Sequence, residues 1–334
     1  MNQQREKSMG RKWKMWVSLG WIGMAIFTLL SIVIRLTVQD SYWGASAYFY
    51  ATPLPVVAVS SGLLFYNSAW QRSYRSAVFW ALCCVMLCGS WVNREWRFDT
   101  PSVVKDDAVT VMFANLSRKQ ECDSFLEKVR FHQPDVIGLV EIGQHPEEET
   151  ARWNRLLPDY QFSFLYKGLG LLSRKPEGRS FVHWLGHGSV GCEQSIEVDG
   201  RELTCIVVDM TANPLVMRRP ILDELAYVAT TFKDRHLLIM GDFNTPAESH
   251  AFDALRERHQ NLFDAVGQGY RGSWPLPFPV LALDQIWINQ NLIPVECVYD
   301  SSDESDHRVV IGRFQFRERD EETGERVSSV LDSR

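Results

Sequence analysis

The sequence has no Cys-x-x-Cys pair among its 7 cysteines, and it has little positive charge beyond its first 100 residues. The first absence argues against a zinc site or a thiol redox motif. The first 100 residues hold 10 of the 35 Lys and Arg residues and 4 of the 41 acidic ones, which leaves 25 basic and 37 acidic residues in the remainder. Because non-specific nucleic-acid binding depends on Lys and Arg at the phosphates, this balance disfavours a long nucleic acid as partner, although a local basic groove stays compatible with it.

Four cysteines are scattered through the later part of the chain: Cys122, Cys192, Cys205 and Cys297. If that part faces an oxidising compartment, one or two disulfides can form. Four cysteines allow three full pairings, and the sequence does not choose among them.

Long apolar runs are confined to the first third. They predict three transmembrane helices, near residues 16–38, 47–66 and 77–92, the second interrupted by Pro53 and Pro55. About 20 apolar residues span the bilayer core as a helix. The first run is too long for the apolar core of a signal peptide, and no small-residue cleavage site follows it. In the alternative, one apolar run, chiefly the short third one, is a buried or re-entrant helix, and two spans remain.

Basic residues set the expected orientation. Five Lys and Arg residues precede the first run, the loop at 39–46 has none, and the second loop holds Arg72 and Arg75. The positive-inside rule therefore predicts a cytoplasmic N-terminus in the inner (cytoplasmic) membrane, with the lipid bilayer as partner. Three spans place the C-terminal domain outside the cytoplasm, whereas two spans would place it in the cytoplasm.

Residues 1–100 thus form the expected membrane region, residues 104–316 a folded domain, and residues 317–334 a charged tail predicted to be disordered. Within the domain, apolar β-branched runs predict strands that outnumber the helices, and hairpin signals such as Asp199-Gly200 mix with helical crossovers. This pattern predicts a layered α/β domain with at least one large mixed sheet.

Polar residues follow several of these strands. Asn115, Glu141, Asp242 and Asn244 lie at or just past the C-terminal ends of apolar runs, where a rigid scaffold usually presents its chemistry. Glu141 is a suitable oxygen ligand for magnesium, and a solvated loop glutamate is the alternative. Asn115 offers a carbonyl oxygen to a metal or an amide donor to phosphate; taken alone, asparagine is more often a turn residue.

The string Gly241-Asp242-Phe243-Asn244 is more specific. Alternation in an extended segment predicts that Asp242 and Asn244 share one face while Phe243 points into the core. The carboxylate can then orient or deprotonate water, and the amide can donate to a phosphoryl oxygen. The alternative is a polar turn before the Thr245-Pro246 helix start.

His307 is a candidate general acid or base. It needs a carboxylate to fix its tautomer, and Asp284, at the start of a predicted strand, is the candidate. The neighbouring Asp306 points away from His307 in an extended chain, so it is available to a metal or water. The alternative for His307 alone is a surface or core histidine.

A resemblance to the endonuclease/exonuclease/phosphatase superfamily rests on the order of these residues and on two further strings. The residues are Asn115, Glu141, Gly241-Asp242-Phe243-Asn244, Asp284 and Ser305-Asp306-His307, and the strings are Gly168-Leu169-Gly170-Leu171-Leu172-Ser173-Arg174 and Gly272-Ser273-Trp274-Pro275. The resemblance covers about residues 109–316, and the three-span arrangement is similar to a bacterial membrane-anchored branch.

The resemblance implies a four-layered α/β sandwich, in which two packed mixed sheets are flanked by outer helices. It implies that Glu141, helped by Asn115, binds Mg²⁺ or Mn²⁺ with support from Asp306. It further implies that Asp242 and Asn244 position water and phosphate, and that His307, oriented by Asp284, acts as the acid-base residue or a phosphate donor.

One departure concerns a second histidine, which the family usually has after its middle strand. No histidine lies between His187 and His236 here, and Asn213 before Pro214 is the candidate to take its place as a neutral donor. Because an amide supplies neither a proton nor a full charge, weakened or lost catalysis is expected.

The leading hypothesis is a membrane-anchored, metal-dependent phosphoesterase. Its substrate would be a phospholipid headgroup, a nucleic acid or a small phosphate ester. The rival is a non-catalytic binding or sensing domain on the same scaffold. A transporter has little support, because Arg35 is the single charge within the predicted spans.

Overall fold

The computed structural model describes residues 2–98 and 107–318. The predicted start of the domain at residue 104 and the tail beyond residue 318 lie outside the described residues.

Four helices form the N-terminal region: α1 (Asn2–Leu36), α2 (Ala45–Ala51), α3 (Leu54–Trp70) and α4 (Tyr74–Glu95). Two of them, over Lys12–Leu36 and Tyr74–Glu95, are long and apolar enough to cross a membrane, and the bent pair α2–α3 makes a third candidate. The predicted spans are therefore present as helices, with different lengths from those expected.

The difference lies at the second apolar run, which is not one helix. Pro53 ends α2, because it cannot donate a helical hydrogen bond, and α3 leaves at 72° to α2. The 17 residues of α3 reach about 25 Å, whereas the 22 residues of α4 reach about 33 Å. The second candidate span is thus the short one, and the third candidate, α4, is long enough to cross a bilayer.

The helices pack with one another through polar as well as apolar groups. Thr28 in α1 donates to Ser60 in α3 at 2.9 Å, and Ser61 donates to the Trp80 carbonyl of α4 at 3.1 Å. Such bonds satisfy polar groups where water is scarce, and they join α1, α3 and α4 into one bundle.

Two six-stranded mixed sheets form the C-terminal domain. The first sheet has the order β13-β14-β2-β3-β5-β4, and the second has the order β10-β12-β9-β8-β7-β6. The strands of the first are β2 (Val109–Asn115), β3 (Val136–Val140), β4 (Gln161–Tyr166), β5 (Leu169–Ser173), β13 (Leu292–Ser301) and β14 (Arg308–Phe316). Those of the second are β6 (Pro176–Gly186), β7 (Ser189–Val198), β8 (Arg201–Asp209), β9 (His236–Asp242), β10 (His259–Asn261) and β12 (Asp284–Asn289).

Helices cover the outer faces of the two sheets. They are α5 (Asp123–His132), α6 (Pro146–Leu156), α7 (Arg219–Thr230) and α8 (Asp253–Arg256), which follows a 3₁₀ turn at His250–Phe252. The short α9 (Leu262–Val266) instead contributes Leu262 and Phe263 to the core between the sheets. One buried core lies between the sheets, a second under α5 and α6, and a third under α7 and α8. This is the four-layered sandwich that the resemblance implies.

Some local expectations needed correction. Apolar residues at helical spacing, Cys122, Phe125, Leu126 and Val129, predict a helix over residues 117–132. The observed helix α5 begins only at Asp123, because Ser117 and Arg118 adopt positive φ angles in a turn. No disulfide joins the seven cysteines, all of which lie within the described ranges. Cys192 and Cys205 lie on neighbouring strands, but they face Val207 and Gln194 rather than each other.

The ends of α1 and α4 are each docked on the sandwich. At the end of α1, Arg35 pairs with Glu248 at 3.3 Å. At the end of α4, Glu95 forms a bidentate pair with Arg271 at 2.8 and 3.1 Å, and β1 (Trp96–Arg97) then pairs with β11 (Gly269–Tyr270). The C-terminal ends of α1 and α4 therefore both lie at the end of the helical bundle that contacts the sandwich.

Candidate active site

Polar residues end the inward-facing rows of four strands at one edge of the sandwich. In β2, Val111 and Phe113 face the core between the sheets, and Asn115 is the next residue with that orientation. The same alternation places Asp209, Asp242 and Asp284 at the ends of the inward rows of β8, β9 and β12. The apolar core therefore gives way to carboxylates and an amide at this edge.

Just before Asp242, at Gly241, strand β9 packs closely against strand β8. A Cβ atom on Gly241 would lie 2.2 Å from the Val208 carbonyl oxygen, so glycine is required for the approach of β8 to β9. Burial, followed by the facing carboxylate of Asp284, raises the pKa of Asp242 to about 8.

Asn244 reaches the site by a different route from that predicted. β9 ends at Asp242, and Asn244 has a φ of 46°, so a turn and not strand alternation sets its direction. Its backbone N–H donates to Asp242 Oδ1 at 2.9 Å, and its side chain donates to the Met210 carbonyl at 2.8 Å. Asp242 and Asn244 both line the cavity described below, and Phe243 is fully buried.

His307 and Asp284 form a buried pair. His307 Nδ1 lies 2.8 Å from Asp284 Oδ2, and the ring lines the cavity. Burial alone would lower the pKa of His307, but the carboxylates of Asp284 and Asp242 outweigh it and raise this pKa to about 10. A proton on Nδ1 directed at Asp284 leaves Nε2 as the atom that can exchange a proton with a ligand.

Asp306 is held apart from this pair. Ser117 Oγ donates to its Oδ1, and Trp274 Nε1 donates to its Oδ2 at 3.0 Å. Partial burial acts to raise the pKa of Asp306, but these hydrogen bonds prevail and lower it. Asp306 is thus an ionised carboxylate at the cavity wall.

Glu141 and Asn115 lie beside each other. Asn115 Nδ2 is 3.4 Å from Glu141 Oε1 and 3.1 Å from Asp242 Oδ2, so one amide group bridges two carboxylates. The Asn115 oxygen accepts the Ser117 N–H at 2.9 Å and is not presented to the cavity. Glu141 itself is half-buried, lines the cavity and faces Arg118 at 3.4 Å.

Asp209 is a site residue that the sequence reasoning missed. It is paired in register with Asp242, and burial together with the charge of Glu141 raises its pKa to about 6. The signal was available, because Asp209 ends an apolar strand just as Asp242 does.

Arg218 is a second missed residue. Its side chain is buried at the start of α7, lines the cavity, and donates to the carbonyls of Asn213, Val216 and Asn244. Burial lowers the pKa of Arg218, but an arginine stays charged at neutral pH.

Asn213 is not brought into the site. Its side-chain oxygen accepts the Leu215 N–H at 3.1 Å, and the cavity is lined by its neighbours Ala212 and Pro214 instead. Arg218, which donates to the Asn213 carbonyl at 3.0 Å, therefore presents a full positive charge to the cavity, and the Asn213 amide does not reach it.

One cavity of about 480 Å³ lies at this edge of the sandwich. Glu141, Asp242, Asn244, Asp306 and His307 line it together with Arg218. Residues of α2 complete the wall, so the helical region takes part in the site.

The residues fit a divalent cation. Carboxylates outnumber cationic groups at this edge, and Asp284 Oδ1 is buried without a hydrogen-bond partner. Ligand atoms of Asp242, Asp284 and His307 lie within 4.8 Å of one another. His307 Nδ1 and Asp284 Oδ2 are already hydrogen-bonded to each other, so neither atom is free to bind a metal. We therefore regard the half-exposed carboxylate of Glu141 as a better metal ligand than this pair.

The architecture and the site together define a class: four-layered α/β sandwiches with an acidic, histidine-containing site between their two sheets. Residues 116–307 match the model of the Endonuclease/Exonuclease/phosphatase family. The chain belongs to this family.

Solved structures support the fold. An endonuclease/exonuclease/phosphatase family protein from Bacteroides thetaiotaomicron is 14% identical with a TM-score of 0.52, over 64% of this chain and 99% of its own. A mannosyl-6-phosphatase from the same organism is 15% identical with a TM-score of 0.52, over 62% and 100%. The human Nocturnin catalytic domain, with bound sulfate, is 18% identical with a TM-score of 0.51, over 64% and 96%. No curated protein matches the sequence.

Proposed function

We propose that this protein is a membrane-anchored, divalent-metal-dependent phosphoesterase. The observation that carries the proposal is the convergence of the His307–Asp284 pair with Glu141 and Asp242 in one cavity. The named neighbours include a phosphatase, which supports phosphate-ester chemistry.

The chain's own groups can move the two protons of a hydrolysis. Asp242 accepts a proton from the attacking water, whose oxygen forms the new bond to phosphorus. The bond from phosphorus to the leaving oxygen breaks, and that oxygen takes a proton from His307 Nε2. Asp284 holds the ring in the tautomer that this transfer requires.

Glu141 would hold the cation, with Asp306, which lines the same cavity, as support. A bound Mg²⁺ or Mn²⁺ would supply positive charge that stabilises the phosphoryl oxygens and keeps the surrounding carboxyls ionised.

Arg218 contributes the fixed charge that the missing histidine would have given. Its guanidinium is oriented by three backbone carbonyls and faces the cavity, so it can hold a phosphoryl oxygen. It cannot transfer a proton, and the proton transfers therefore fall to Asp242 and His307.

The localisation proposal is an inner-membrane protein with a cytoplasmic N-terminus. Both α1 and α4 end on the side of the sandwich, which supports an odd number of spans before it. Alkaline phosphatase fused after residue 105 should then be active; an inactive fusion beside an active cytoplasmic reporter at the same point would reverse the orientation.

The test of activity is hydrolysis of bis-p-nitrophenyl phosphate by the full chain in detergent with Mg²⁺ or Mn²⁺. Turnover that is lost on addition of EDTA and in His307→Ala supports the proposal. Persistence of turnover in both cases would assign it to a contaminant.

The second candidate is a binding or sensing domain on the same scaffold, favoured by the absence of histidine between His187 and His236. A folded protein that binds Mn²⁺ and phosphate but turns over neither a diester nor a monoester would establish it.

A further inference from the structure

One wall of the candidate active site is a helix of the membrane region. Ala47, Tyr50 and Ala51 of α2 line the same cavity as Asp242 and His307. A ligand in this cavity would therefore touch both the sandwich and the helical region.

Helix α2 lies where the spans end. It follows the end of α1 by a short loop, and it joins α3 through Thr52 and Pro53 at a bend of 72°. If α3 runs close to the membrane normal, as spanning helices do, α2 runs nearly along the membrane surface. The cavity wall is then at the level of the lipid headgroups.

The contact between α2 and the sandwich is fixed by a buried carboxylate. Asp40 accepts hydrogen bonds from Tyr50 Oη in α2 and from Ser249 Oγ and the His250 N–H in the sandwich. The Arg35–Glu248 pair lies beside it and is itself buried. Helix α2 is therefore held in a fixed position as part of the cavity wall.

Apolar side chains are exposed on the segments that surround the cavity. Leu215 is 53% exposed and Phe278 is 80% exposed, and each lies in a loop whose other residues line the cavity. Tyr42 and Trp43, in the loop before α2, are 65% and 71% exposed. Aromatic side chains are enriched where proteins meet the headgroup region, so these positions fit contact with a bilayer.

On these grounds we infer that the substrate is a membrane lipid whose headgroup carries the phosphate ester. The inference rests on the proposed function and names its substrate class. The headgroup enters the cavity between α2 and the loops 212–217 and 274–281, while the lipid chains stay in the bilayer. A cavity of about 480 Å³ is of the size that takes a small-molecule headgroup.

The reaction is a hydrolysis and needs water alone as co-reactant. The water oxygen bonds to phosphorus, the ester oxygen leaves with one proton, and the lipid is divided into an alcohol and a phosphate product. The acidic balance beyond residue 100 gives no comparable support to a nucleic acid.

The test uses the full chain in phosphatidylcholine nanodiscs with Mn²⁺. The lipid probes are phosphatidic acid and phosphatidylglycerol. Their soluble counterparts are glycerol 3-phosphate and glycerophosphoglycerol. A single-stranded oligonucleotide and bis-p-nitrophenyl phosphate complete the set. We expect kcat/KM for at least one lipid to exceed that of its soluble counterpart by about 100-fold, because chain anchoring supplies binding energy.

Variants separate membrane contact from catalysis. Phe278→Ser and Leu215→Ser should each lower lipid hydrolysis by about tenfold, since each removes one exposed apolar side chain that would insert into the bilayer, and should leave bis-p-nitrophenyl phosphate hydrolysis unchanged. Phe131→Ser, at an 82% exposed aromatic of α5 outside the cavity, should change neither activity.

The outcomes are distinct. If bis-p-nitrophenyl phosphate is hydrolysed but no lipid is, or if soluble counterparts or the oligonucleotide react as well as the lipids, the lipid inference is wrong and the phosphoesterase proposal stands. If nothing in the set is hydrolysed, the phosphoesterase proposal is wrong, and the lipid inference that rests on it is wrong as well.

Discussion

His307 Nδ1 lies 2.8 Å from Asp284 Oδ2, and neither side chain is appreciably exposed. Asp284→Asn keeps the shape of this contact but permits the wrong tautomer of His307. We expect kcat for bis-p-nitrophenyl phosphate to fall about 10²- to 10⁴-fold, with a smaller change in KM. Asp303→Asn, at an exposed carboxylate nearby, should be neutral. An unchanged kcat in Asp284→Asn would remove the pair from the mechanism.

Substitution of Glu141 tests the proposed metal site. Glu141→Gln removes the charge from a carboxylate that lines the cavity and is bridged by Asn115 to Asp242. The dissociation constant for Mn²⁺, measured by calorimetry, should rise about 10- to 100-fold. Glu148→Gln, on the exposed face of α6, is the matched control. Wild-type affinity in Glu141→Gln would direct attention to the Asp242–Asp284–His307 cluster instead.

Arg218 should govern phosphate affinity. Arg218→Lys keeps the positive charge but loses the fork held by three carbonyls, so inorganic phosphate should inhibit about tenfold less strongly. The neighbouring Arg219→Lys serves as control, because Arg219 is on the exposed side and meets Asp253 at 4.0 Å. Since Arg218 also supports its loop, thermal unfolding of each variant must be compared, and equal phosphate inhibition in both would refute the role.

Stability of the metal-free protein should fall as pH rises. The folded-state pKa of His307 is raised from 6.5 to about 10, so its stabilising protonation is complete below pH 6.5 and lost on the way to pH 10. The pKa of Asp242 is raised from 3.8 to about 8, and its contribution is likewise lost as pH rises through 8.

The measurement is the thermal midpoint in EDTA at pH 6 and pH 9. We expect a midpoint lower at pH 9 by on the order of 5 °C, and a smaller difference with saturating Mg²⁺, because a cation favours ionised carboxyls. Asp242→Asn should reduce the pH dependence, whereas Asp303→Asn should not. A midpoint that rises from pH 6 to pH 9 in EDTA would contradict both pKa shifts.

Sequence reasoning found those parts of the site that follow from local rules. The position of a polar residue at the end of an apolar strand identified Asn115 and Asp242, because alternation and strand direction fix where such residues point. Glu141 was found from its place just past β3, but a φ of 52° and not alternation sets the direction of its side chain. The same rule would have found Asp209, had it been applied to β8.

The remaining parts depend on contacts between distant segments. Arg218 is one of 35 basic residues, and no periodic pattern distinguishes an arginine that turns inward at a helix start. The α2 wall depends on the docking of residues 40–51 against residues more than 190 positions later. At Asn244 a positive φ overrides strand alternation, so the turn that the sequence analysis gave as the alternative sets the direction of this residue.

The Glu95–Arg271 pair should hold the helical region on the sandwich. Both side chains are buried, so Glu95→Gln leaves an arginine with only Asp264 as a charged partner, and unfolding should become easier by about 3 kcal/mol. Replacing the pair by Glu95→Gln with Arg271→Met should recover part of this loss, because no unpaired charge is then buried. Glu202→Gln, which breaks the exposed pair with Arg235, should cost less than about 1 kcal/mol. Denaturant unfolding in one detergent provides the comparison, and a Glu95→Gln cost no greater than that of Glu202→Gln would show that the docking depends on other contacts.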